Sequence, residues 1–338
     1  DPCCMTAVGN RIFFRADDGT SGDEPWVSDG TAAGTRMIKD FNPGTGNGYM
    51  YTPIAMGRHC YFCVRSASSG YDLVRSDGTA AGTRVLANFS SSWSYPVVLG
   101  SRIIFRGRNP ASGYEAWVTD GTTAGTGMLA DARPGSGSGY LYYPVVLGSK
   151  VYYWAHDSAT YALWETDGTR QGTKKIGRPA GFDHSYWYRP IAVGRKIVFE
   201  GGSSAAGDEP WVSDGTLQGT FMLKDLNPGS ANADFYDPCV LNGKCYFRAR
   251  TAAGYGLFVT DGTAAGTGLV TRAVTSFYAP TVLGNRILFR GRANNGYEPW
   301  ITDGTAAGTR ELKDIMPGGN GSDPEFFTVS GSTALFRA

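Results

Sequence analysis

The chain has 338 residues, and its 31 Lys and Arg stand against 30 Asp and Glu, leaving a net charge of +1 with no basic stretch to track a phosphate backbone. No run of about 18 apolar residues occurs, so neither nucleic acid nor membrane insertion is expected. With 48 glycines, 13% aromatics and no stretch rich in Ala, Leu, Glu and Lys, the composition favours short strands and tight turns over helices.

The opening Asp1-Pro2-Cys3-Cys4 is neither an initiator methionine nor a signal peptide, which reads as a chain processed or excised from a longer one. Residues 4–16 then read as two strands, and Glu24-Pro25-Trp26-Val27-Ser28 leads into Asp29-Gly30-Thr31, with a second Gly-Thr at Gly34-Thr35. The same Asp-Gly-Thr returns at Asp77, Asp120, Asp167, Asp214, Asp261 and Asp303, a period of roughly 42 to 48 residues that suits propeller blades.

The third copy displays the unit. Segments 95–99, 102–106, 114–118 and 126–129 are each of strand length, punctuated by Gly, Pro, Asn or Asp. A tight turn such as Gly100-Ser101, or Asn242-Gly243 in the sixth copy, joins the first two; the Asp-Gly-Thr loop joins the last two. Four antiparallel strands per repeat predict an all-β fold, a β-propeller of four-stranded blades. The repeats run approximately 1–52, 53–95, 96–143, 144–189, 190–237, 238–279 and 280–327, and 328–338 starts an eighth. Seven complete sets favour seven blades. Eight is the alternative, because long copies (Pro43, Pro134, Pro228 and Pro317, each followed by Gly) alternate with short ones.

One blade cannot cover its own faces, so neighbours stack. The anchor residues Trp26, Trp117, Trp164, Trp211 and Trp300, with Phe258 and Val74 at the same position, are expected between blades. Aromatics before each first strand, Tyr51, Tyr95, Tyr143, Tyr188, Tyr236, Tyr278 and Phe327, form either a ring at one end that stacks on sugars or a packed collar.

Residues 24–35 with Lys39-Asp40-Phe41-Asn42-Pro43-Gly44 resemble the ELWxxDGTxxGT…KDxxPG signature of a repeat family of bacterial surface and secreted proteins. The resemblance recurs seven times over nearly the whole chain, with Pro25, Pro210 and Pro299 replacing the signature Leu. It implies surface display and adhesion. The expectation is an extracellular structural or adhesive protein whose partners are copies of itself, joined head to tail, or surface glycans; a lectin-like propeller is the alternative.

The seven aspartates read as structural turns, their carboxylates accepting N–H groups two residues on. Calcium binding would need further oxygen ligands at each loop. Glu24, Glu209 and Glu298 lie five residues before their Asp, and Lys39, Lys224 and Lys313 ten after it, which predicts cross-strand ion pairs. His59, His156 and His184 are scattered, and no Ser-His-Asp, Cys-His or zinc spacing emerges. With the recurring carboxylates committed, no enzyme activity and no cofactor are expected, an Asp-box type of glycosidase being the enzyme alternative. Six cysteines in pairs suggest disulfides and an oxidising compartment, Cys239 with Cys245 and Cys3 or Cys4 with Cys60 or Cys63. Sequons at Asn88 and Asn320 are expected in loops.

Overall fold

A computed structural model describes residues 3–66, 70–183, 187–293 and 296–338. The chain is an all-β protein of the β-propeller type, and among the described residues it has seven four-stranded antiparallel sheets and one two-stranded sheet, each in simple sequence order. The count of sheets is therefore eight, the alternative rather than the first choice, and the eighth holds a single hairpin. Two compact units divide it, residues 1–176 with sheets 1 to 4 and 177–338 with sheets 5 to 7 and the hairpin.

The four strands of a sheet are labelled a to d. Sheet 6 is representative, with a Tyr236–Leu241, b Lys244–Thr251, c Gly254–Thr260 and d Gly268–Thr271. Asn242 and Gly243 take φ of 50° and 73° between a and b, left-handed values that Asn and Gly tolerate and that suit a two-residue hairpin. Strands b and c pair in unbroken register and set Phe247 opposite Phe258, as Phe105 stands opposite Trp117 and Phe289 opposite Trp300. Side-chain alternation sends these rings to one face of the sheet.

Within each unit the two faces have different neighbours. Tyr246, Cys239 and Leu257 on one face of sheet 6 pack with Ile287, Phe289 and Trp300 of sheet 7. Phe247, Cys245 and Phe258 on the other pack with Val193 and Val198 of sheet 5. Sheets 1 to 2, 2 to 3 and 3 to 4 meet in the same manner. Of the anchor residues, Val74, Trp117, Trp164, Phe258 and Trp300 thus lie between sheets of one unit, and the first strands run side by side within each unit.

Every strand a carries a bulge after its first residue, as between Tyr236 and Cys239. The second residue takes a left-handed φ in all eight, namely Cys4, Thr52, Tyr95, Tyr143, Arg189, Asp237, Ala279 and Phe326. A proline follows in six of the eight, and a bulge tolerates it because the ladder needs no N–H there.

Candidate binding face

The two ends of a repeat are built differently. At one end, Asp29 Oδ1 accepts from the Thr31 N–H at 3.0 Å and the Thr31 hydroxyl at 2.7 Å, and Thr31 Oγ1 accepts from the Gly34 N–H at 2.9 Å. The Thr35 hydroxyl closes the loop onto the Thr31 carbonyl at 2.7 Å. Asp77, Asp120, Asp167, Asp214, Asp261 and Asp303 repeat these bonds. The threonine hydroxyl and N–H hold the carboxyls of Asp29, Asp77, Asp167 and Asp303 below the ordinary range. A Cβ on Gly34 would fall 1.9 Å from Asp29 Oδ1, so only glycine lets the loop wrap this tightly.

At the other end, loops return from strand d to the next strand a, and in sheets 1, 3, 5 and 7 a glutamate five residues before the Asp organises the loop. Glu24 accepts N–H bonds from Phe41, Asn42 and Gly48 at 3.1, 3.3 and 2.8 Å. Glu209 accepts from Leu226 and Asn227, and Glu298 from Ile315, Met316 and Ser322. The expected ion pairs are not made: among the described residues none of the three lysines bridges its glutamate. The carboxylate points inward under the loop, whereas Lys39 lies against the Phe41 ring and Lys224 donates to the Thr267 carbonyl. Glu115 plays the same part, accepting from Ala132 and Gly139. Sequence reasoning missed it because the tenth residue after Asp120 is Ala130, not Lys; its spacing from the Asp was the available signal. Burial pushes Glu24, Glu115 and Glu209 up to about 7 against these donors. Burial also pushes Glu298 up, but the Ser322 hydroxyl and the N–H groups outweigh it, leaving that carboxyl below its ordinary value.

The seven predicted aromatics do not occupy one repeat position. Tyr51, Tyr188, Tyr236 and Tyr278 open their strands, Tyr95 and Tyr143 are second residues in the left-handed bulge, and Phe327 is third. The bulge hides this offset from sequence. What the openings share is a partner: the residue facing them on strand b is Arg15, Arg106, Arg248, Arg290 or Arg337 in five of the eight sheets.

In the first unit the Arg106 guanidinium lies 4.8 to 5.9 Å from the rings of Tyr95, Tyr114, Tyr140 and Tyr142. In the second, a band crosses the sheets. Glu200 pairs with Arg189 at 2.5 Å, and Arg189 lies 4.2 Å from the Tyr236 ring. Arg248 stands 4.8 Å from each of Tyr236, Tyr255 and Tyr278 and donates to the Tyr278 hydroxyl at 2.6 Å. Arg290 lies beside Tyr278 and Tyr297 and 3.5 Å from Glu325, which also pairs with Arg337. Cations held against aromatic faces fix flat rings in place. Burial pushes Glu200 up to about 7 against Arg189. An open cleft of about 470 Å³ borders the band, lined by Tyr278, Pro280, Arg290, Glu325, Phe326 and Phe327. A polar one of about 570 Å³ is lined by Asn227, Asn232, Asp234, Arg250 and Thr251, and Asp234 accepts from the Tyr255 hydroxyl.

The cysteines correct the expectation of disulfides, since all six are free thiols. Cys239 stands opposite Tyr246 and Cys245 opposite Val240, so the two thiols leave opposite faces into different cores. Cys60 and Cys63 likewise belong to separate cores, and the Cys3 and Cys4 thiols lie 3.3 Å apart. His59 and His156 lie in different sheets beside Tyr61 and Tyr161, and His184 is outside the described residues. Asn88 is not in a loop; it lies in a strand with its side-chain amide donating to Asp72. Asn320 is exposed in a loop.

No family model and no curated protein matches the sequence. Solved structures do share the fold. The computationally designed Ika8 protein aligns over 99% of this chain and 92% of its own, at 12% identity and a TM-score of 0.55. Oligopeptidase B from Leishmania major aligns over 99% and 52% at 11% identity and 0.54, and a puromycin hydrolase mutant over 99% and 57% at 14% and 0.51. This chain spans about half the length of those two enzymes, and such identities show a common fold alone. They nonetheless overturn the expectation that the chain is no enzyme. That expectation rested on carboxylates committed to turns and loops, and hydrolytic enzymes contain a region of this same fold as about half of their length, so committed carboxylates do not exclude one.

Proposed function

We propose that this chain is an adhesive propeller of the extracellular surface, whose long-loop end binds hydroxyl-rich ligands, surface glycans above all. The observation that carries the reading is the band from Glu200 to Arg337, in which tyrosine rings are fixed by guanidinium groups beside two open clefts. A pyranose ring offers an apolar face to stack on tyrosine and a rim of hydroxyls to meet paired donors and acceptors, and Arg189, Arg248, Asp234 and Glu325 supply both kinds. The resemblance to the ELWxxDGT repeats and the exposed sequon at Asn320 agree with an extracellular place; the free thiols give it no support.

Screening the full chain on a glycan array tests this, with Arg248→Ala and Tyr278→Ala as companions. The expected result is binding that a free monosaccharide inhibits and that each substitution weakens about tenfold, as loss of one cation–aromatic contact and its hydrogen bond implies. An array without hits, or binding indifferent to both substitutions, would overturn it.

A further inference from the structure

The internal repeat supplies a template for contacts between sheets. Where two sheets of a unit are neighbours, the earlier presents the face marked by the third residue of its strand b and the later presents the face marked by the second. Phe13 packs in this way with Cys60 of the following sheet, and Tyr246 with Ile287. At the third position Tyr61, Ile104, Tyr246 and Leu288 are 6% exposed or less, whereas Leu335 of the terminal hairpin is 65% exposed. At the second position Cys60, Ile103, Val151, Cys245 and Ile287 are fully buried, whereas Ile12 of sheet 1 is 45% exposed.

The two exposed faces are thus the two halves of the interface that the chain uses internally. We propose that the face of the hairpin bearing Leu335 docks on the Ile12 face of sheet 1 in a second copy, so that copies join head to tail. The contact needs no new chemistry. Leu335 is the counterpart of Tyr246 and Ile12 the counterpart of Ile287, a pair that already packs sheet 6 on sheet 7. Because donor and acceptor faces differ, the contact is heterologous and each copy keeps one of each free for the next. The proposal goes beyond glycan binding and is independent of it, since it uses neither Arg248 nor Tyr278.

Sedimentation velocity of the full chain over a wide concentration range tests it, with Leu335→Asp and Ile12→Asp. Both side chains are exposed in the single molecule, so circular dichroism should report an unchanged fold. Wild type is expected to form open oligomers that lengthen with concentration. Each variant alone should associate at least about tenfold more weakly, as expected when a leucine-sized contact is replaced by a charge. An equimolar mixture should stop at heterodimers, because Leu335→Asp keeps the Ile12 face and Ile12→Asp keeps the Leu335 face. Wild type that stays monomeric, or variants whose mixture is no larger than either alone, would overturn the proposal.

Discussion

The Asp-Gly-Thr end and the long-loop end of a repeat are made from the same residue types but obey different rules. At the first, all partners of the carboxylate lie within a few residues, and the Thr31 to Asp29 bonds recur in seven copies with almost the same lengths. At the second, a glutamate reaches loop N–H groups 17 to 24 residues on, and the loops differ in length and side chains. Local chemistry closes a turn regardless of surroundings, so that end stays uniform. The long-loop end varies from copy to copy, which is where a surface for recognition can be built.

The two ends should differ most in what loss of their carboxylates costs. Glu209→Ala strands the buried Leu226 and Asn227 N–H groups and should cost about 3 kcal/mol in urea unfolding, with Glu209→Gln costing less because one acceptor oxygen remains. Asp214→Ala, at an exposed turn, should cost only about 1 kcal/mol. Equal losses from the two would erase the distinction.

Three of the long-loop glutamates titrate in the sense opposite to the turn aspartates, while Glu298 is lowered as they are. Glu24, Glu115 and Glu209 bind their protons more tightly when folded, moving from 4.5 to about 7, so their contribution is largest below about pH 4.5 and falls as pH rises to about 7. Asp29, Asp77, Asp120, Asp167, Asp261 and Asp303 are lowered from 3.8, so their contribution is present above that pH and is lost as pH falls through the lowered value. Denaturant midpoints measured against pH should therefore peak at mildly acid pH; in Glu209→Gln the fall toward neutrality should shrink. A midpoint that rises steadily to pH 8 would contradict the buried-glutamate half.

A smaller effect concerns the sequons. Produced in a glycosylating host, the chain should carry glycan at Asn320 ahead of Asn88, whose amide nitrogen is held by Asp72 within a strand. Site occupancy by mass spectrometry reads the order directly.

The strands and turns were legible because their signals are local: the Asp-Gly-Thr-x-x-Gly-Thr run carries its own hydrogen bonds, and alternating aromatics on strands b and c mark the packed faces. The partners of the glutamates were not legible. Covariation with Lys39, Lys224 and Lys313 pointed to an ion pair, but the acceptor is satisfied by backbone N–H groups, which leave no trace in side-chain identity. The aromatic ring was misaligned because a bulge shifts which residue faces strand b. Paired cysteines suggested disulfides because sequence spacing does not reveal that register sends Cys239 and Cys245 to opposite faces.

We place recognition at the long-loop end of the repeats. Hydrogen exchange of the full chain with and without a glycan found on the array tests it most directly. Slowed exchange is predicted in residues 232–237, 248–255 and 278–280, with the seven Asp-Gly-Thr loops unchanged. Protection concentrated in those loops, with 232–280 otherwise unaffected, would contradict it.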